Sequence, residues 1–217
     1  MVNISFINKL FASKLPILFC DFSAIKVFMK SSFYIFLLSI STPVFSQSIV
    51  IDPTSAKTKA DDANSIANMY RMGMGVPKDM KKAFELYQVA AELGNTDAQV
   101  DLGDMYYSGE ETSQSYEKAN YWYEKAAKNN SAKAQMYLGY AYLNGKGVAV
   151  DYDKAKNFLE LAVKQGEPSA MYHLGTMFFD GKGVTKDQNQ AIPLFKKSCS
   201  EGDSNACDKL KEIKIEK

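Results

Sequence analysis

The amino-acid sequence predicts an all-α fold, a right-handed α-solenoid of about four and a half helix–turn–helix repeats of 36 residues. Two observations predict it. Equivalent residues recur at a constant spacing of 36 from Asp62 to the C-terminus, and each repeat carries apolar residues at helical spacing on two segments separated by glycine. Because one helical hairpin cannot bury its apolar face alone, the repeats are expected to stack into a continuous core.

The repeat is defined by a few positions that keep their chemical character. The units begin at Asp62, Ala98, Ala134 and Ala170, and a partial fifth begins at Ala206. Counting offsets from each start, residue four is aliphatic and residue five is small in the first four units. In the third unit these are Leu138 and Gly139, followed by Tyr142 and Gly145 at offsets eight and eleven.

Each unit is predicted to contain two helices with recognisable ends. In the third unit the first helix ends at Gly145, which supplies the left-handed backbone that follows many helices. Asp151 is a favourable N-cap for the second helix, and Asp79 and Asp187 stand at the same offset. Gly166 is the stop signal of the second helix.

The chain ahead of the repeats divides into a leader and a linker. Residues 1–46 are predicted to be a leader whose last part is an export signal: Lys30 precedes an apolar run of about a dozen residues that ends at the small Ser46. Met29 directly precedes this signal and is a second candidate start. Cleavage after Ser46 is expected, with an uncleaved anchor as the alternative, and residues 47–61 are predicted to be a linker before the 62–217 solenoid.

Charge argues against a nucleic-acid partner. The formal net charge is +1, with 26 basic and 25 acidic residues. Residues 1–46 hold four of the basic and one of the acidic residues, which leaves 22 and 24, a net charge of −2, for residues 47–217. A mildly acidic surface offers no footprint for a phosphate backbone.

The pattern Ala-x-x-x-Leu-Gly-x-x-Tyr-x-x-Gly-x-Gly-Val-x-x-Asp-x-x-Lys-Ala, best matched from Ala134 to Ala155, resembles the Sel-one-like repeat family, a relative of the tetratricopeptide repeat. The resemblance implies an adaptor that binds another protein on a concave groove lined by the first helices. Exported bacterial members of that family are associated with envelope assembly, host interaction and toxin–immunity pairing.

Analogy with tetratricopeptide arrays places offsets two, six and nine of each first helix on that groove. The predicted partner-binding residues are Arg71, Asp104, Tyr107, Met136, Tyr140, Leu143, Tyr172, Thr176 and Phe179. An exposed apolar and aromatic stripe of this kind is typical of an interaction site. The alternative is that several of these side chains fill gaps between units and never meet solvent.

Cys199 and Cys207 are predicted to form a disulfide. They lie late in the last second helix and early in the final helix, and export makes oxidation feasible. The resemblance supports the pairing, because a cysteine-rich branch of the family pairs cysteines at this spacing. Two buried free thiols are the alternative.

No constellation predicts catalysis, a cofactor or a metal site. Ser115 and Lys118 match the S-x-x-K pattern, and the cysteine-rich branch has been linked to penicillin binding and weak β-lactam hydrolysis. However, Ser115 stands at the N-cap offset held by Asp in other units, and Lys118 is an ordinary repeat lysine. His173, the only histidine, has no partner residue in the sequence.

Two departures from the pattern lead to further expectations. The second unit lacks the second glycine, the valine and the aspartate of its inter-helix loop, which we expect to be less ordered or specialised. Pro193, past the first turn of a second helix, should kink that helix or shift its start.

The function predicted from these observations is a non-enzymatic protein–protein interaction scaffold, exported to the periplasm or beyond, monomeric, and associated with membranes only through its export signal. The alternatives are a β-lactam-binding or weakly β-lactam-hydrolysing protein and an immunity partner of an exported toxin.

Overall fold

The structure is a computed structural model that describes residues 53–215, with side chains from 55 to 213. The leader and export signal predicted within residues 1–46, including the candidate start at Met29, lie outside the described residues. Within residues 53–215 the chain forms helices and no strands. The helices are α1 (Pro53–Met72), α2 (Met80–Glu92), α3 (Thr96–Ser108), α4 (Tyr116–Lys128), α5 (Ala132–Asn144), α6 (Tyr152–Lys164), α7 (Pro168–Asp180), α8 (Gln188–Ser200) and α9 (Ser204–Ile215).

The helices pack in chain order, which confirms the predicted α-solenoid. Each odd-numbered helix, the first of its unit, packs on the even-numbered second helix that follows, and each second helix packs on the first helix of the next unit. The buried residues form three adjoining clusters along the array. None of the helices between Pro53 and Ile215 is both long and apolar enough to cross a membrane.

The array begins earlier than the repeat pattern indicated. Helix α1 starts at Pro53, so nine residues of the predicted 47–61 linker, 53 to 61, are helical. Proline is favourable in the first turn of a helix, where its missing N–H is not needed. The added turns are also packed, because Ala60 is only 2% exposed.

The predicted helix ends are confirmed. Asp79, Asp151 and Asp187 each accept a hydrogen bond from a backbone N–H in the first turn of the following helix, at 3.0, 3.0 and 2.9 Å. Ser115 makes the same cap with the Lys118 N–H at 3.3 Å. Gly145 ends α5 in the left-handed conformation, with φ of 67°.

The glycine at offset five sets the distance between the two helices of a unit. A Cβ added at Gly139 would lie 2.6 Å from Leu159 Cγ and 3.2 Å from the Ala155 carbonyl oxygen. Gly103 and Gly175 face Tyr123 and Phe195 in the same way, at 2.5 and 2.8 Å. Each of these second-helix residues exposes no more than 1% of its surface. The missing side chain on one helix is therefore the space that the large side chain on the other fills.

The second glycine of the inter-helix loop serves contact between units. A Cβ at Gly147 would lie 2.6 Å from the Tyr116 carbonyl carbon at the start of the preceding second helix, α4. The second unit has Glu111 at this place, and Glu111 keeps the positive φ, 58°. The loop nevertheless closes as in other units, with the Ser115 N–H donating to the Tyr106 carbonyl at 2.9 Å. The turn is therefore intact despite the change of sequence. Glu111 carries the steric strain that a residue with a Cβ has at a positive φ.

Two features complete the last unit. Pro193 lies inside α8, but α8 starts at Gln188, at the same offset as the other second helices, so the shifted start expected as one outcome is not observed. Cys199 and Cys207 form the predicted disulfide, with Cα atoms 4.8 Å apart, and this bond joins α8 to α9.

Replacing Gly139 with Ala is expected to lower the free energy of unfolding by about 1–3 kcal/mol, because the new methyl group overpacks against Leu159. Chemical denaturation monitored by circular dichroism measures the loss. In the Gly139→Ala, Leu159→Ala double variant the two losses should fall short of their sum by about 1 kcal/mol or more, since each change relieves the other. Simple additivity would contradict the close contact.

Replacing Glu111 with Gly is expected to raise the free energy of unfolding by about 1 kcal/mol, because glycine adopts a positive φ without the steric cost that a Cβ brings. Asn130, whose φ is 63°, is the matched control. Asn130→Gly should change stability less, because asparagine tolerates this backbone conformation. A loss of stability in Glu111→Gly would show that its side chain makes a contact worth more than the strain.

Candidate functional site

Five aromatic rings touch in succession across the face formed by the first helices. Ring centroids are separated by 5.0 Å between Tyr116 and Tyr107, 6.5 Å between Tyr107 and Tyr140, 5.1 Å between Tyr140 and His173, and 5.2 Å between His173 and Tyr172. We call these five residues the aromatic ladder. Its rings come from α3, α5 and α7, with Tyr116 at the start of α4, so the ladder spans three units.

The ladder is partly exposed and consists of aromatic rings of low polarity. All five side chains are half-buried. Burial, with a smaller effect of the hydrogen bond to Tyr140, raises the pKa of Tyr107 to about 12. Burial lowers the pKa of His173 to about 4, although the Asp203 carboxylate acts in the opposite direction. The imidazole is therefore neutral near pH 7 and serves as another flat, weakly polar surface.

A polar cluster lies at the N-terminal end of the ladder. The Arg71 guanidinium is 3.5 Å from the Asp101 carboxylate and donates to Asn68 Oδ1 at 2.9 Å. Burial raises the pKa of Asp101 more than the nearby Arg71 lowers it. Beside this pair, Asp104 accepts from the Tyr123 hydroxyl at 2.7 Å and from the Lys133 ammonium at 2.9 Å. Each acidic group of the cluster thus has a basic neighbour, and the cluster carries little net charge.

The C-terminal end of the ladder is apolar, with charges of both signs beside it, and the Lys209 ammonium lies 3.0 Å from the Glu212 carboxylate. The Phe179 ring lies 6.2 Å from the buried Phe195 ring, and the Lys209 and Lys186 ammonium groups lie 4.9 and 5.6 Å from its centroid. The Thr176 hydroxyl donates to the Tyr172 carbonyl at 2.9 Å within α7. A partner would therefore meet a different chemistry at each end of the ladder.

Most of the predicted groove residues lie on or beside the ladder, but two of them are buried in the core. Tyr107, Tyr140 and Tyr172 belong to the ladder, and Arg71, Asp104, Thr176 and Phe179 flank it. Met136 and Leu143 are buried in the second core cluster, 8% and 6% exposed, so their assignment to an open groove was wrong. The two side chains fill gaps within the stacked array, which is the alternative that the sequence had left open.

Sequence reasoning missed the residues at offset three. Asp101, Tyr137, His173 and Lys209 share this offset, and each is half-buried rather than covered. Offset two, which was chosen instead, is buried at Val100 and Met136. The signal was available, because offset three lies one helical turn before offset six and so shares its face.

The S-x-x-K pair has structural roles. Ser115 caps α4, and its hydroxyl donates to the Glu117 carboxylate at 3.0 Å. The Lys118 ammonium lies 5.2 Å from the centroid of the Tyr106 ring. Neither contact resembles a serine activated by a lysine base. Within the described part of the chain, no three side chains of the metal-binding types come together.

The profile of the Sel1 repeat matches the chain four times in succession, at residues 61–95, 96–131, 132–167 and 168–203. These matches cover more than half of the chain and follow the helical hairpins described above. The chain belongs to the Sel1 repeat family. Proteins of this family are in general protein-interaction scaffolds.

Two solved structures illustrate the relationship of this Sel1 repeat protein to others. A Sel1 repeat protein from Oxalobacter formigenes is 35% identical, with a TM-score of 0.63 over 68% of this chain and 60% of that one. The protein c5321, a protective antigen of uropathogenic Escherichia coli with an SLR fold, is 33% identical, with a TM-score of 0.65 over 74% of this chain and 35% of that one. The chain thus spans less than two thirds of either relative. No protein with a curated description matches it at a significant level.

Lowering the pH is expected to destabilise the protein through His173. Its pKa is about 4 when folded, against about 6.5 for an unperturbed histidine, so below pH 6.5 the unfolded chain binds a proton that the folded chain does not. Stability is unaffected above pH 6.5 and falls by up to about 3 kcal/mol as the pH drops towards 4. Denaturation of wild type and His173→Phe at pH 7.5 and 4.5 isolates this effect, because the contributions of the other titratable groups are common to both proteins and cancel in the difference. Equal pH dependence in the two proteins would refute it; His173→Gln controls for the loss of the ring.

Proposed function

We propose that this protein is a non-enzymatic scaffold that binds a segment of another protein along its aromatic ladder. The observation that carries the proposal is the continuity of the ladder. Rings from the first helices of three successive units touch one another. A packed core does not require a ring-to-ring line on the open face.

The physical properties of the ladder suit recognition of a polypeptide. Tyrosine combines a large apolar surface with a hydroxyl and loses little conformational freedom on binding, which is why it is frequent among binding anchors. Contacts between neighbouring rings hold these side chains in place before a partner arrives, so less entropy is lost on binding. Because the ladder consists of aromatic rings and the charges beside it are mostly paired, we expect binding to depend weakly on salt.

We further propose that the protein acts after export, in the bacterial envelope or outside the cell. The signal-like sequence from Lys30 to Ser46 supports this proposal, and so does the disulfide between Cys199 and Cys207, because such bonds persist in oxidising compartments. The partner would then be another envelope or extracellular protein.

The Tyr140→Asp, Tyr172→Asp double variant is expected to lose its partner while keeping its helicity. Each change places a charge on a half-buried apolar surface, and together they should weaken binding by at least about a hundredfold, or roughly 3 kcal/mol. Affinity purification from envelope extract, read by mass spectrometry, identifies proteins that wild type retains and the variant loses. Isothermal titration with the identified protein then measures the change.

The matched control is Tyr121→Asp with Tyr152→Asp, which changes two tyrosines that are 52% and 39% exposed and are not members of the ladder. This control should retain every partner of the wild type. A partner that binds both double variants equally well, with circular dichroism showing both folded, would remove the ladder from the proposal.

A further inference from the structure

The N-terminal edge of the array is unusual in its burial. Ile66 and Met69 of α1 are 39% and 38% exposed. At the offset of Ile66, later units have Leu102, Leu138 and Leu174, which are 0%, 1% and 5% exposed. At the offset of Met69, later units have Met105, Ala141 and Met177, at 4%, 2% and 0%. Leu174 and Met177 share a core cluster with Ala155 and Leu159 of the preceding second helix, α6. Among the described residues, no second helix precedes α1, and its Ile66 and Met69 are exposed.

The loop that follows α1 extends this open surface. A Cβ added at Gly147 or Gly183 would collide with the first residue of the preceding second helix, Tyr116 or Tyr152. At Gly75, the equivalent glycine of the first unit, the nearest atom is Met69 Cε at 3.8 Å. None of the residues from 53 to 215 occupies beside Gly75 the space that a helix start fills in later units, while the loop keeps the backbone conformation, with φ of 71°, that makes this space.

Two further exposed residues of the first unit are more apolar than their equivalents. Met72 and Met74 are 58% and 52% exposed. The other units have Ser, Asn and Asp at the offset of Met72, and Glu, Lys and Lys at the offset of Met74. A terminal unit whose only task is to end the array is expected to carry a polar outer face. Methionine is instead frequent at surfaces that adapt to a bound helix.

We propose that Ile66, Met69 and Met74 form a second interaction surface, the N-terminal edge, which binds an amphipathic helix of another protein where the second helix of a preceding unit would lie. The edge continues the interface by which each second helix packs on the next first helix. The occupant is therefore a helix, with an apolar stripe and small residues that allow close approach.

Contacts between units specify this helix further. Where α4 packs on the third unit, Asn120 donates to the Lys146 carbonyl at 2.7 Å, and buried Ala126 lies beside the start of α5. The first unit has Asp62 where α5 has the buried Ala134. A helix seated at the edge needs a basic residue near its C-terminal end to meet the Asp62 carboxylate. Helix α4 itself has Lys125 and Lys128 in its last turn.

The probe for this surface is a synthetic peptide of residues 115–130, with a hydrocarbon staple joining positions 117 and 121 to hold it helical, since both positions face solvent in α4. Fluorescence anisotropy of the labelled peptide with the purified protein is expected to saturate with a Kd below about 1 mM. Ile66→Lys with Met69→Lys should weaken binding at least about tenfold. A peptide with Ala126→Glu should not bind.

Leu161→Lys is the matched control, because Leu161 is an exposed apolar residue, 43% exposed, on a different helix. This variant should bind the peptide like wild type. Absence of binding up to about 1 mM, or equal binding by the Ile66→Lys, Met69→Lys variant, would overturn the proposal. Loss of the Tyr140 and Tyr172 rings should leave peptide binding unchanged, so failure here and failure of the ladder are distinguishable.

Two further measurements separate other occupants of the edge. Sedimentation equilibrium should show the same mass for wild type and for Ile66→Lys, Met69→Lys; a wild-type dimer that the double variant dissociates would assign the edge to a second copy and overturn the proposal. Thermal unfolding of the two proteins should agree within about 2 °C. A fall of many degrees would mean that this chain covers its own edge, which would also overturn it.

Discussion

The structure depends on the absence of a side chain at one position of α3, α5 and α7. Gly103, Gly139 and Gly175 let Tyr123, Leu159 and Phe195 reach the backbone of the facing helix, and an added methyl group at any of the three would collide with them. This contact sets the hairpin spacing and, through it, the position of the next unit. It also shapes the binding face: the Tyr123 ring passes over Gly103, and its hydroxyl reaches Asp104 on the open side at 2.7 Å. A core residue thus orients a carboxylate beside the aromatic ladder.

The repeat explains the fold, whereas departures from the repeat explain the surface. Offset six of the first helices carries Asn68, Asp104, Tyr140 and Thr176 in turn, so the same backbone position presents an amide, a carboxylate, a ring and a hydroxyl. Neighbouring first helices hold these positions side by side, so the chemistry of the face changes along the array. Paired charges at one end are followed by aromatic rings and then by Phe179 with its neighbouring lysines. A partner that crosses several units would therefore bind in one orientation only.

Local chemistry made much of the fold predictable. The aspartate caps and the glycine stops act within one helical turn, so their sequence signals are complete, and the period of 36 gave the stacking order. The errors arose where a distant neighbour decides the outcome. Helical periodicity alone places Met136 and Leu143 on the open face of α5, but packing between adjacent units buries them. The early start of α1 was missed because its first turns follow no repeat, and burial of Ala60 against the array holds them. Ring-to-ring contact between units, which creates the ladder, is likewise a property of the stack and not of any one unit.

The two ends of the array differ in a way that a simple need for solubility does not explain. At the last unit Lys211 occupies the offset of Gly139, so a further second helix could not approach α9 as Leu159 approaches α5. The disulfide between Cys199 and Cys207 ties α9 to α8. The first unit keeps the glycine turn and the apolar pair Ile66 and Met69. It also has methionine at two positions, Met72 and Met74, where later units have polar residues. The last described unit therefore disfavours a close approach of the kind that Leu159 makes to α5, while the first unit keeps the apolar surface on which a second helix packs in later units.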